Sequence, residues 1–171
     1  MTVPRMTSWR RVEVDGCSMR VMEAGEGEPL VFLHGWGLSP RTYEQGITRL
    51  TAGGVRVIAP ALPGFGGSDG PPLLRIDLKA YSRRIAGLID ALALEEPVFL
   101  VGHSFGGGVA LQLATDRPDL VRSLTLVNTV GGAPGRRREH RAAGNLALAA
   151  RFEKLARGRR LGLLAHGLAP S

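Results

Sequence analysis

One run of residues constrains this chain more than any other: Pro97-Val98-Phe99-Leu100-Val101-Gly102-His103-Ser104-Phe105-Gly106-Gly107-Gly108. Its first residues are continuously apolar, as in a parallel strand covered on both faces. Apolar residues resume behind Ser104 and continue toward Asp116, and Pro118 then reads as a helix stop. A strand that turns sharply into a helix at a serine is a nucleophile elbow, a turn that pushes a hydroxyl out of the top of a sheet. The flanking Gly102 and Gly106 have a steric reason, because a side chain on either would crowd so tight a turn. The helix behind the serine aims its N-terminus at the same place, where backbone N–H groups favour developing negative charge.

The Gly-x-Ser-x-Gly pattern alone decides little, and the chain contains it twice. Gly66-Gly67-Ser68-Asp69-Gly70 also fits, but Ala61-Leu62-Pro63-Gly64-Phe65 before it reads as loop. Pro71-Pro72 after it opposes a helix that starts on the serine. Ser104 has the strand before it and the helix behind it, so Ser104 is the candidate nucleophile and Ser68 is not. A phosphate-binding turn would use glycines in a similar place. Gly102-His103-Ser104-Phe105-Gly106-Gly107 offers neither the dinucleotide spacing nor a P-loop lysine.

Elsewhere the pattern alternates between strands and helices. Arg11-Val12-Glu13-Val14 and Met19-Arg20-Val21-Met22-Glu23 flank Asp15-Gly16, which predicts a hairpin with one solvated face. Residues 29–33, 55–59, 97–101 and 123–127 read as strands, and residues 43–50, 76–94 and 105–116 as helices. Leu78, Tyr81, Ile85, Leu88, Ile89 and Leu92 mark the buried face of the longest helix. Strands alternating with helices predict βαβ crossovers and an α/β fold with a largely parallel sheet.

A further glycine turn, His34-Gly35-Trp36-Gly37, follows the strand at residues 29–33. Acyl transfer needs two N–H donors at the developing oxyanion. The backbone N–H of Phe105 is placed for one, and that of Trp36 for the other. His34 is expected to bond the loop backbone rather than serve as a base. These residues, with Pro63-Gly64-Phe65-Gly66-Gly67-Ser68-Asp69 between them, resemble the α/β-hydrolase superfamily. The branch is that of small esterases, lactonases, carbon–carbon bond hydrolases and cofactor-free haloperoxidases, and the resemblance covers nearly all of residues 10–130. It implies attack by Ser104, an acyl-enzyme released by water, a structural Asp69, and support of elbow and loop by Gly102, His103, Gly106, His34 and Gly35. It implies no cofactor and no metal. The relatives with an aspartate nucleophile, epoxide hydrolases and dehalogenases, are disfavoured by serine at position 104.

The family order is serine, acid, histidine. Some members place the acid directly after the sixth strand, where this chain reads Leu126-Val127-Asn128-Thr129-Val130-Gly131 without a carboxylate. His140 and His166 remain, in a segment where the family begins its helical cap. The expected domains are therefore an N-terminal α/β-hydrolase core at residues 1–130 and the start of a basic helical cap at residues 131–171. The chain reads as cut within the cap, with acid and base not in it, and the 171 residues alone are expected to be inactive or nearly so. A second function class stays open: a non-catalytic α/β-hydrolase-like module that binds a ligand or partner.

Composition enters through charge. The net charge is +7, yet residues 1–130 carry 13 basic and 13 acidic side chains, whereas residues 131–171 carry nine and two. The basic character thus belongs to the C-terminal segment, where Leu148, Phe152 and Leu155 mark one face of an arginine-rich helix. That helix reads as a cap over a substrate pocket. A helix on anionic membrane or nucleic acid, or a disordered segment, are the alternatives. The expected partner is a small-molecule substrate, with no nucleic acid and no membrane. A single cysteine, Cys17, fits a reducing compartment. No apolar h-region or long apolar stretch is present, and the expected location is cytoplasmic.

Overall fold

The computed structural model describes residues 7–70, 77–129 and the short strand 163–166. Among these residues seven strands form one sheet: β1 (Thr7–Val14), β2 (Cys17–Ala24), β3 (Glu28–Leu33), β4 (Val55–Pro60), β5 (Val98–His103), β6 (Val121–Val127) and β7 (Leu163–His166), in the spatial order β1-β2-β4-β3-β5-β6-β7. β1 pairs antiparallel with β2, and β2 with β4; every other pairing is parallel. The hairpin turns on Asp15 and Gly16, both at positive φ (46° and 73°), a conformation whose twist matches that of the strands it joins. β1 begins at Thr7, earlier than the alternation at residues 11–14 indicates, because Thr7 to Arg10 find partners in Val21 to Ala24 of β2.

Among the described residues the α-helices are α1 (Glu44–Leu50), α2 (Leu78–Ala91) and α3 (Phe105–Asp116), with a 3-10 turn (Pro40–Tyr43) leading into α1. α2 starts where Asp77 caps it, its carboxylate accepting the Ala80 N–H at 2.6 Å. Tyr81, Ile85, Leu88 and Ile89 of α2 are buried. α3 is buried nearly all round, from Gly106 through Thr115, which explains its lack of a polar face. α2 and α3 pack on one face of the sheet over a core containing Leu33, Ile58, Leu100, Leu113 and Leu124. On the other face Ile47 of α1 joins Met22, Phe32, Val57 and Ala59.

The expected α/β fold, a mostly parallel sheet with flanking helices, is the observed one. β7 falls inside residues 131–171, the segment the sequence assigns to a helical cap. Its four residues instead extend the sheet, parallel to β6. The rest of that segment, including the helix expected around Leu148, Phe152 and Leu155, lies outside the described residues, as do positions 76 and 140. Among the described residues no helix is long and apolar enough to cross a membrane.

Candidate active site

The register of the parallel strands sets the site. Leu33 of β3 stands opposite Gly102 of β5, and His103 opposite Val127 of β6, so three strands end together. The loop His34-Gly35-Trp36 therefore leaves the sheet beside the turn that carries Ser104. Ser104 is the residue before α3, at φ 50° and ψ −115°. A non-glycine residue held there costs of order 1–3 kcal/mol, and such strain persists only where the surroundings over-determine it. Here Ser104 N–H donates to Val127 O at 2.9 Å, and Ser104 O accepts from Gly107 N–H at 3.1 Å.

The two elbow glycines are required by backbone approach. A Cβ on Gly102 would lie 2.6 Å from Gly106 O and Gly107 Cα. A Cβ on Gly106 would collide with Leu33 O and lie 2.5 Å from His34 O. The first turn of α3 is thus seated directly on the end of β3, beside the start of the loop that carries Trp36. Around them lies a cluster of rings. Trp36, half-exposed, stands edge-on to Phe65 and to Phe105, each at 5.0 Å, and Tyr81 meets Phe105 at the same spacing.

His34 is fully buried. Leu62 N–H donates to its Nε2 at 2.9 Å, which leaves the ring proton on Nδ1, and Nδ1–H donates to Gly35 O at 2.8 Å. Both nitrogens are occupied by backbone, so His34 anchors the loop, as expected from sequence. Burial holds its pKa below the ordinary 6.5, against a smaller upward pull from the Gly35 carbonyl. The unfolded chain's imidazole takes up a proton near that ordinary value while the folded one stays neutral, so stability is greatest above pH 6.5 and falls as pH drops below it. Glu23 enters only lower: burial raises its pKa, but Arg56 and Arg10 outweigh this and hold it below 4.5. Urea midpoints are expected to be lower at pH 5.2 than at pH 7.5, and the difference to shrink in His34→Gln. An unchanged difference would assign the effect to other groups.

The second serine match is structural. Ser68 is buried, its hydroxyl donating to Ala61 O and accepting from Arg20 N–H, both at 2.8 Å. Asp69 accepts the Ser18 N–H at 2.8 Å and ties this loop to the hairpin. Asn128, just past β6, is exposed and at φ 46°. His166 is the last residue of β7, in register with Val127; His140 lies outside the described residues. Tyr43 is a site residue that sequence reading missed. Its hydroxyl lies 2.8 Å from His103 Nδ1 and accepts the Gly35 N–H at 3.3 Å. Nothing in its local pattern, a tyrosine at the start of a short helix, marks it. Among the described residues no group of three His, Cys, Asp or Glu side chains could hold a metal.

A serine elbow between a parallel strand and a buried helix, with a glycine loop beside it, defines an α/β-hydrolase core. The chain belongs to the alpha/beta hydrolase family, whose sequence model matches residues 30–170. It is 36% identical over 126 residues to 2-hydroxymuconate semialdehyde hydrolase of Pseudomonas sp. (strain CF600), an alignment covering 71% of this chain and 44% of the relative. Among solved structures it is similar to an epoxide hydrolase from Vigna radiata (TM-score 0.68, 32% identity, 77% of this chain and 41% of the other). It is also similar to a membrane phospholipase A described as a bacterial virulence factor (TM-score 0.71, 30% identity, 90% and 46%). The chain thus spans less than half the length of these proteins.

Proposed function

We propose that this protein is a serine hydrolase that acts on a small ester, lactone or related carbonyl compound through an acyl-enzyme. The observation that carries the reading is the strained conformation of Ser104 (φ 50°, ψ −115°) at the N-terminus of a buried helix. Ser104 attacks the carbonyl carbon. The backbone N–H groups of Phe105 and Trp36 stabilise the oxyanion, supported by Gly102, His103, Gly106, His34 and Gly35. The bond from the carbonyl carbon to the leaving group breaks, and the leaving group departs with the serine's proton by way of the base. Water then hydrolyses the acyl-enzyme, which releases the acid and returns the proton to Ser104. The family order assigns acid and base to segments that follow the elbow and the sixth strand, and the 171 residues alone are proposed to lack both. The basic residues between β6 and β7 are proposed to begin a cap over the pocket. The substrate is a small molecule rather than nucleic acid or membrane, and the single cysteine supports a reducing, cytoplasmic setting.

The hydrolase relatives support the class of reaction, and the serine supports the ester-type substrate over an epoxide or haloalkane. The test uses the protein as its own gene encodes it, treated with a fluorophosphonate and assayed on p-nitrophenyl acetate. The reading expects one phosphonyl adduct, on Ser104, with turnover lost in proportion to labelling. Full turnover in protein unlabelled at Ser104 after exhaustive treatment would overturn it.

A further inference from the structure

The loop and the elbow come from chain segments far apart, and one hydroxyl connects them. Tyr43, at the end of the 3-10 turn after the loop, lies with its oxygen 2.8 Å from Nδ1 of His103, the residue before Ser104. The same oxygen accepts the backbone N–H of Gly35, the residue before Trp36. A phenol has one proton. The oxygen accepts the Gly35 N–H and at the same time shares a proton with His103 Nδ1, in the direction that the imidazole tautomer sets. The Tyr43 ring is braced by Phe32 at 4.8 Å and by the His103 ring at 5.6 Å.

Gly35 is consequently held at both of its peptides. Its N–H goes to Tyr43, and its carbonyl accepts from His34 Nδ1 at 2.8 Å and from Leu38 N–H at 3.2 Å. The planar trans peptide makes the Trp36 N–H point opposite the Gly35 carbonyl, so fixing that carbonyl fixes the direction of the N–H. Space around Gly35 is also closed: a Cβ there would lie 3.2 Å from His103 Nδ1 and 3.4 Å from Tyr43 Oη. We propose that Tyr43 and His103 are positioning residues whose hydrogen bond sets the spacing between the two oxyanion donors, Trp36 N–H on the loop and Phe105 N–H on the elbow. Neither side chain touches substrate; both act through the backbone. The inference rests on the serine-hydrolase reading of the same site.

The test compares Tyr43→Phe, His103→Leu, the double variant and His103→Asn, in the protein as its own gene encodes it. Tyr43→Phe keeps the ring and removes only the hydroxyl. It is expected to lower kcat on p-nitrophenyl acetate about 10-fold with KM unchanged, because misaligned donors weaken the transition state more than the ground state. Phenylboronic acid, which forms a tetrahedral anion on an active serine, is expected to bind about 10-fold more weakly, a readout that needs no turnover. His103→Leu, which leaves the hydroxyl on the Gly35 N–H, should lose no more than Tyr43→Phe, and the double variant should be no worse than Tyr43→Phe, because both substitutions remove the same Tyr43–His103 bond. His103→Asn, whose Oδ1 falls near the Nδ1 position, should restore most of the rate. The proposal is overturned if Tyr43→Phe keeps kcat and boronate affinity within twofold, or if single losses multiply in the double variant. Loss of kcat that merely follows the fraction of folded protein would also overturn it. Ser104→Ala separates the two claims. If Ser104→Ala retains turnover and boronate binding, or the parent has neither, the site reading fails and this inference falls with it. If Ser104→Ala is inactive but Tyr43→Phe is normal, only the positioning role fails.

Discussion

Replacing Ser104 with alanine in the protein as its own gene encodes it is expected to cut hydrolysis of an activated ester by about 10⁴–10⁶-fold, the scale seen when a catalytic serine is removed from a hydrolase. The loss should occur without loss of fold. The Ser104 side chain makes no capping hydrogen bond to α3, and its backbone bonds to Val127 and Gly107 do not involve the hydroxyl. The urea midpoint of Ser104→Ala should therefore match that of the parent. Ser104→Gly sharpens the result. Glycine adopts φ near +50° freely, so this variant should be equally inactive yet more stable by up to about 1 kcal/mol, releasing strain kept at the turn. Turnover by Ser104→Ala at more than a hundredth of the parent rate would remove the nucleophile assignment.

The second large effect falls on Gly106. A single added carbon in Gly106→Ala would collide with Leu33 O and come within 2.5 Å of His34 O, both backbone atoms that cannot swing away. Relief requires α3 to lift off the end of β3, which disturbs a buried helix and moves the Phe105 N–H from the Trp36 loop. We expect a loss of about 3 kcal/mol or more in urea unfolding, with activity lost in whatever protein still folds. Gly37→Ala is the matched comparison. Gly37 has φ 71° but nothing within 4 Å of its Cβ position, so strain alone acts there, at about 1–2 kcal/mol. A Gly106→Ala protein as stable as Gly37→Ala would mean that helix and strand are not in this contact.

The elements that position the site were legible where local signals were strong. Residues 105–116 were expected to be helical, and α3 spans Phe105–Asp116, because glycines at one end and Pro118 at the other mark both termini. The strand before it extends two residues further than expected, to His103, because its partner β6 continues alongside it to Val127. The residues of β7 were not legible as a strand. Leu163-Leu164-Ala165-His166 is short and lies in an arginine- and glycine-rich stretch, and its pairing depends on the free side of β6. Ser68 could be set aside from its flanking prolines and loop, but the reason for its burial, bonds to Arg20 and Ala61, belongs to the packing of that loop on β2.

From the sequence alone follow the parallel α/β architecture, the serine turn and the glycines it needs, because apolar periodicity and glycine's freedom from a Cβ act over a few neighbouring residues. The tertiary structure alone decides which backbone N–H groups share a side with that serine and what holds them apart. Tyr43 and His103 are 60 positions apart in the chain, and only the parallel register of β3 and β5 brings the phenol to the imidazole. No local pattern carries that information, since a hydrogen bond depends on distances of a few tenths of an ångström that packing of the whole sheet sets.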